Sequence, residues 1–300
     1  MITLLIALLL VQLDGSATYL NFSDDGQTLV AVGADVTLWD LETQEPETFS
    51  YLDAVFYTRQ GDLRVTGDVR GVITAWDDSE TPTDSVETEL ASGFVTTYAA
   101  GDGVIAAGGC LQAEPDESCA VGLVQVYDLD TLELAYELSG PLELITGIAT
   151  DGDRLATVTR GGALWVWDTS TLEVLNQFDE GQTEITDVAF YQHEVLVALC
   201  TAADENGCVE SEIVFRAIEG GETTRTLTVP GAVNSFDRAG EQLVTASDDG
   251  VLRVYDVAEG EILNETEFDA QVVRFAPDGD RIAAASDEAI VIWEPGMESG

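Results

Sequence analysis

The chain has no lysine, and its eleven basic residues, all arginine, stand against 57 acidic ones for a formal charge of −46 over 300 residues. Charged residues make up only 23% of it, slightly under the usual share, so the imbalance comes from acid standing where base normally would. A surface this negative repels phosphate backbones and anionic headgroups, which argues against direct nucleic-acid or membrane-surface binding. Cations, basic proteins and concentrated salt remain as company. Histidine occurs once, at His193, so a Ser-His-Asp or Cys-His nucleophile has a single available base. The setting of that residue, Tyr191-Gln192-His193-Glu194, reads as an exposed hairpin turn. No glycine-rich loop leads into a helix, so phosphate-cradling motifs are missing. The main apolar run, Ile2 to Val11, is shorter than the ~18 residues of a membrane-spanning helix. Sustained 3.6-residue periodicity with caps is absent, so almost no helix is expected. An apolar share of 45% is nonetheless ordinary for a chain with a buried core, which excludes disorder.

What the chain does have is an internal repeat. An aromatic followed by an acid closes a short alternating run at Trp39-Asp40, Trp76-Asp77, Tyr127-Asp128, Trp167-Asp168, Tyr255-Asp256 and Trp293-Glu294, with Phe215-Arg216 as a degenerate seventh. The same order of segments recurs ahead of each. In the fourth unit these are Ile145 to Thr150, a turn at Asp151-Gly152-Asp153, Arg154 to Val158, a turn at Arg160-Gly161-Gly162, Ala163 to Trp167, a polar turn and Val174 to Phe178. Short period-2 runs bounded by Gly/Asp turns are antiparallel strands joined by hairpins. Four strands per unit closing on Trp-Asp resembles the WD40-repeat family, over essentially the whole chain, and Ser247 to Asp256 follows the family's pattern closely. The resemblance implies an all-β, seven-bladed β-propeller of four-stranded antiparallel blades, one domain over 1–300, and a protein-binding scaffold. It also implies an Asp-His-Ser/Thr-Trp hydrogen-bond network, which a chain whose one histidine lies elsewhere cannot build. Blade rigidity is then expected to rest on packing and turn aspartates.

The ends complement each other. The last unit stops at Trp293-Glu294 with a tail at 295–300, lacking its fourth strand, while the N-terminus carries a surplus apolar run. Residues 1–16 are therefore expected to supply the closing outer strand of blade seven, hiding an edge that would otherwise invite aggregation. The alternative is a secretory signal peptide, favoured by Gly15-Ser16-Ala17 and by the lack of alternation in Leu4 to Val11, but lacking a preceding basic residue.

Four cysteines bracket two long insertions between second and third strands, Cys110 to Cys119 and Cys200 to Cys208. Each insertion's ends must already lie close in a hairpin, which favours Cys110 with Cys119 and Cys200 with Cys208. Reduced thiols are the alternative; the wide gaps fit zinc poorly. Paired cysteines point to an oxidising, extracytoplasmic or secreted setting, and the insertions resemble cysteine-bracketed loops of bacterial extracytoplasmic WD40-type proteins. Antiparallel topology puts both insertions on one face. Their acids Glu114, Asp116, Glu117, Asp204 and Glu205 make that face the candidate partner surface.

No catalytic, cofactor or metal site is expected. The Asp-rich turns Ser23-Asp24-Asp25-Gly26, Ser247-Asp248-Asp249-Gly250 and Pro277-Asp278-Gly279-Asp280 lack calcium-loop spacing, and Asp/Gly is what tight hairpins require. Of two glycosylation sequons, at Asn21 and Asn264, the second on its outer strand is expected to be accessible. The function expected is a monomeric, non-catalytic interaction scaffold that takes a protein or peptide partner of basic character. The alternative is an extracytoplasmic hydrolase or lyase using face carboxylates on a sugar or cationic substrate. Arginine-only basicity and surface acid also resemble proteins of high-salt organisms, which would allow a cytoplasmic location.

Overall fold

The computed structural model describes residues 10–295 apart from 24, 52, 61–62, 77–81, 88–92, 102, 115–118, 139–142, 182–184 and 206. Within them every regular element is a strand, and the strands form seven four-stranded antiparallel sheets. Six blades take four consecutive strands each, running Tyr19–Phe49, Ala54–Glu87, Phe94–Leu138, Ile145–Asp179, Ile185–Pro230 and Val233–Glu267 (blades 1 to 6). Blade 7 has Val272–Phe275, Ile282–Ala285 and Ala289–Trp293 from the C-terminal part of the chain, and its fourth strand is Leu10–Asp14. The closing strand thus comes from the N-terminal side, with Leu10 opposite Trp293 and Asp14 opposite Ala289. Residues 1–9 of the surplus run, and any leader within them, lie outside the described residues.

The chain divides into two compact units. One comprises residues 1–52 and 234–300, with blades 6, 7 and 1; the other comprises 53–233, with blades 2 to 5. In the first unit, blade 7 is sandwiched. Val272, Ala283, Ala285, Ile290 and Ile292 pack against Leu20, Phe22, Leu29 and Trp39 of blade 1. Its other face, with Val273, Ala284, Val291 and Trp293, packs against Val244, Ala246, Leu252 and Val254 of blade 6. Ile282–Ala285 and Ala289–Trp293 are therefore buried at every position, and alternation disappears wherever both faces of a sheet are covered. In the second unit, blade 4 is sandwiched likewise between blades 3 and 5.

Polar latches repeat along the first strands. Thr96 Oγ1 donates to the Ile145 carbonyl, Thr146 Oγ1 to that of Ile185 at 3.3 Å, and Thr186 Oγ1 to that of Val233 at 2.8 Å. Asn234 Nδ2 does the same toward Ala270 at 3.1 Å. Each donor follows an apolar residue at the start of its strand, so these side-chain hydrogen bonds reach the segment that opens the next blade without interrupting either ladder.

Candidate functional site

Antiparallel alternation places the turns between second and third strands at one end of every blade. In the four-blade unit these turns are Asp68–Gly71, the Cys110–Cys119 segment, Thr159–Gly162 and the Cys200–Cys208 segment. The two insertions are not irregular loops, as the sequence suggested, but continuations of the strands that carry them. Strands two and three span Val104–Ala113 and Cys119–Asp128 in blade 3, and Glu194–Asp204 and Gly207–Ala217 in blade 5. In blade 4 the same strands have six residues each. The pairing runs out to Ala113 opposite Cys119 and to Asp204 opposite Gly207. A ladder already in register keeps gaining backbone hydrogen bonds as it lengthens, so little of either insertion is left as loop. At 3.3 Å per residue, the five extra residues per strand of blade 5 carry its finger ~16 Å past a standard blade.

Both fingers are cross-linked, Cys110 to Cys119 and Cys200 to Cys208, with Cα separations of 5.7 and 5.8 Å. Register shifts follow Cys110 and Cys200. Bulges twist a ladder locally, and each staple clamps its finger beside one. Glu114, Asp204 and Glu205 are exposed on the fingers. Asp116 and Glu117 lie outside the described residues.

The sequence did not single out the rest of this end of the unit. Val69, Val121 and Val209 are exposed there, and Arg70 extends beside them. The Arg70 guanidinium donates to Asp68 Oδ2 through Nε at 2.9 Å and Nη2 at 2.6 Å, while Asp68 Oδ1 accepts the backbone N–H groups of Arg70 and Val72. Asp68 is 5% exposed and is the one acid among the buried polar residues of the described part of the chain. This end of the unit thus carries exposed valine and arginine as well as the acids of the fingers.

The aspartates of three aromatic-acid pairs, Asp40, Asp128 and Asp168, work as turn clamps. Asp40 Oδ1 accepts from the backbone N–H of Glu42 and Thr43, Asp128 Oδ1 from Asp130 and Thr131, and Asp168 Oδ1 from Ser170 and Thr171. These donors hold the carboxyls below the usual range, led by the Thr43 N–H for Asp40, the Thr131 N–H for Asp128 and the Ser170 hydroxyl for Asp168. The hydrogen-bond network implied by family resemblance survives in part despite the missing histidine. Trp76 Nε1 donates to Thr66 Oγ1 at 2.9 Å and Trp167 Nε1 to Thr157 Oγ1 at 3.4 Å.

His193 is exposed in its hairpin turn, where its carbonyl accepts from Ile218 N. Among the described residues no group of three or more His, Cys, Asp or Glu side chains is placed to hold a metal ion. Asn264 is exposed, and so is Asn21, which the sequence placed on an inaccessible strand. Position 21 points out because blade 1 alternates there, burying Leu20 and Phe22 instead.

Residues 221–256 match the family model of the WD domain, G-beta repeat. They cover the fourth strand of blade 5, Thr223–Pro230, and the first three strands of blade 6, through the Tyr255-Asp256 pair. A solved structure, that of the computationally designed Ika8 protein, aligns over 94% of this chain and 97% of that one with a TM-score of 0.66 at 17% identity. No curated protein matches the chain. One matched repeat, seven four-stranded blades and a closing aromatic-acid pair in nearly every blade support a WD40-repeat β-propeller.

Proposed function

We propose that the protein is a non-catalytic interaction scaffold, and that the two stapled fingers of blades 3 and 5 flank its partner surface. Propellers of this family generally mediate protein–protein contacts. The observation that carries the reading here is a pair of disulfide-fixed hairpins on one end of the four-blade unit, with blade 4 recessed between them. Preordered hairpins lose little conformational entropy when a partner binds. Exposed Val121 and Val209 supply apolar contact, and Glu114, Asp204 and Glu205 supply charge that favours and accelerates encounter with a basic protein. Two disulfide bonds are consistent with an oxidising environment, and an extracytoplasmic location belongs to this proposal.

The carboxylates with displaced proton affinity, Asp25, Asp40, Asp128, Asp168, Asp249 and Asp278, are all displaced downward. A general acid needs the opposite, which supports a scaffold over a hydrolase. Replacing each finger by the short turn of blade 4, Thr159-Arg160-Gly161-Gly162, tests the proposal by affinity capture. Loss of the partners bound by the parent protein is expected, and an unchanged set of partners refutes it.

A further inference from the structure

The three-blade unit holds a cleft of about 610 Å³, within the size range that buries small ligands. Its origin is legible in how blades lean on one another. In blades 3, 4 and 6, the residue opposite the valine that precedes the closing aromatic is Tyr136, Asn176 and Asn264 respectively. Tyr136 lies beside Thr169, in the turn between the third and fourth strands of blade 4. Asn176 Nδ2 donates to the Ile218 carbonyl at 2.9 Å, in the same turn of blade 5. Gly221 of that turn sits so close that a Cβ there would meet Asn176 and Phe178 at 3.2 Å. In both cases a turn of the next blade lies on the outer strand of the one before.

In blade 7 no turn joins the third strand to the fourth, because the fourth, Leu10–Asp14, comes from the N-terminal side of the chain. Asn264 is accordingly exposed where Asn176 is half-buried, and it lines the cleft together with Gln27, Gln242, Asp280, Arg281 and Glu294. The charges differ in the same sense. Arg216 follows the closing Phe215 of blade 5 and clasps Glu180 of blade 4 through Nε at 2.8 Å and Nη2 at 2.6 Å. The residue following Trp293 is Glu294, so a carboxylate stands where blade 5 has its cation. The one arginine of the cleft is committed already: Arg281 Nη2 donates to Asp278 Oδ2 and to the Gly26 carbonyl, each at 2.8 Å.

We infer that this cleft is a peptide-binding site, and that its occupant is a basic turn segment of another protein lying where blade 7 lacks its own turn. The turn's backbone carbonyl accepts from Asn264 as the Ile218 carbonyl accepts from Asn176. Its cationic side chains meet Asp280 and Glu294, while Gln27 and Gln242 offer amide groups to its remaining polar atoms. This site lies in the other compact unit from the stapled fingers and does not depend on their role.

The probe is a fluorescein-labelled decapeptide copying Phe215 to Thr224, this protein's own blade 5 turn, with the changes E219K and E222K. Its anisotropy is followed as full-length protein is titrated in. Saturable binding is expected, weakened about tenfold or more in the double variant Asp280→Asn, Glu294→Gln and by molar salt, and unchanged when Glu114 and Glu205 are replaced by Gln. The unmodified acidic decapeptide should bind about tenfold more weakly than the basic one. Asp280 is exposed and Glu294 only half-buried, so the double variant's circular dichroism and melting midpoint should match the parent, which separates a lost contact from a lost fold. Absence of saturable binding up to ~1 mM protein, equal binding by the double variant, or equal binding of the two peptides would each overturn the inference.

Discussion

Trp167 and Trp293 close equivalent strands but differ in what their indole N–H meets. Trp167 lies opposite Leu155, and the residue two beyond Leu155 is Thr157, whose hydroxyl accepts the bond. Trp293 lies opposite Ile282, and the corresponding residue is Ala284, so Nε1 of this fully buried tryptophan has no partner. Trp39 shares that fate, being opposite Leu29 with Ala31 two further on. In blades 5 and 3 no donor is orphaned: Phe215, which has no donor, lies opposite Leu196 with Ala198 beyond it, and Tyr127 donates to Gln125 Oε1 at 2.8 Å instead. An unmet buried donor costs about 1–3 kcal/mol. Ala284→Ser should therefore raise stability by about 1 kcal/mol and Thr157→Val should lower it by a similar amount, read as shifts of the urea midpoint. The clamp aspartates make a pH prediction. Asp40, Asp128 and Asp168 have carboxyls depressed below 3.8 in the folded chain. Their contribution is fully present above that value and is lost as pH falls through the depressed folded one. Carboxyl chemical shifts of Asp168 should thus stay ionised at pH 3.8, and Asp168→Asn should remove the corresponding step. The clamp role was legible from Trp-Asp followed by Ser/Thr turns. The orphaned indoles were not, because the residue that decides them is selected by cross-strand register.

Strands and hairpins were the most readable level. Gly/Asp turns and period-2 runs located the blade 4 strands to within a residue or two, since a tight turn is a local event decided by residues that are neighbours in sequence. The fingers were readable as cysteine-bracketed insertions but not as strands, because a ladder grows by pairing with a segment some ten residues away. Closing a loop of nine or ten residues gives a chain-entropy stabilisation of about 2.5–3 kcal/mol. Cys200→Ser with Cys208→Ser should cost no more than this, and its effect should stay local: hydrogen exchange quickens at Thr201–Glu210 while the ladder of blade 4 stays protected. The Arg216–Glu180 contact was invisible in sequence, its partners being 36 residues apart. It is desolvated, with side chains 21% and 8% exposed, and Arg216 also sits over the Phe178 ring. Arg216→Ala strands a buried carboxylate and should lower stability by about 2–4 kcal/mol, whereas exposed Arg70, paired with Asp68 on one side and Asp53 on the other, is a milder loss for its own part.

At the scale of the whole molecule, the charge becomes a statement about solvent. Among the described residues Asp68 and the side chain of Glu180 are buried acids, but most of the negative charge lies on or near the surface, where its self-repulsion opposes the compact state and salt screens it. Melting midpoints should rise between low and molar salt; a flat response would contradict a surface adapted to concentrated salt. The closing strand can be tested at the same scale. Removing residues 1–14 takes away the partner of Ala289–Trp293 and leaves a fully apolar edge, so the truncated chain should melt earlier and self-associate in sedimentation velocity.

The sequence by itself determined the local grammar of this protein: the number of blades, the turns that bound their strands, the cysteine pairs, and the identity of the terminal segment that completes blade 7. All of these follow from periodicity, turn chemistry and spacing, which act between near neighbours or repeat often enough to be recognised. Tertiary structure alone decided which buried donors are met, how Arg216 finds Glu180, and that Asn264 and Glu294 line one cleft. Those outcomes depend on a turn from one blade resting on the outer strand of another. Only the packed fold brings such distant residues together, and in blade 7 the N-terminal strand that hides a sheet edge is also the reason no turn joins its third and fourth strands.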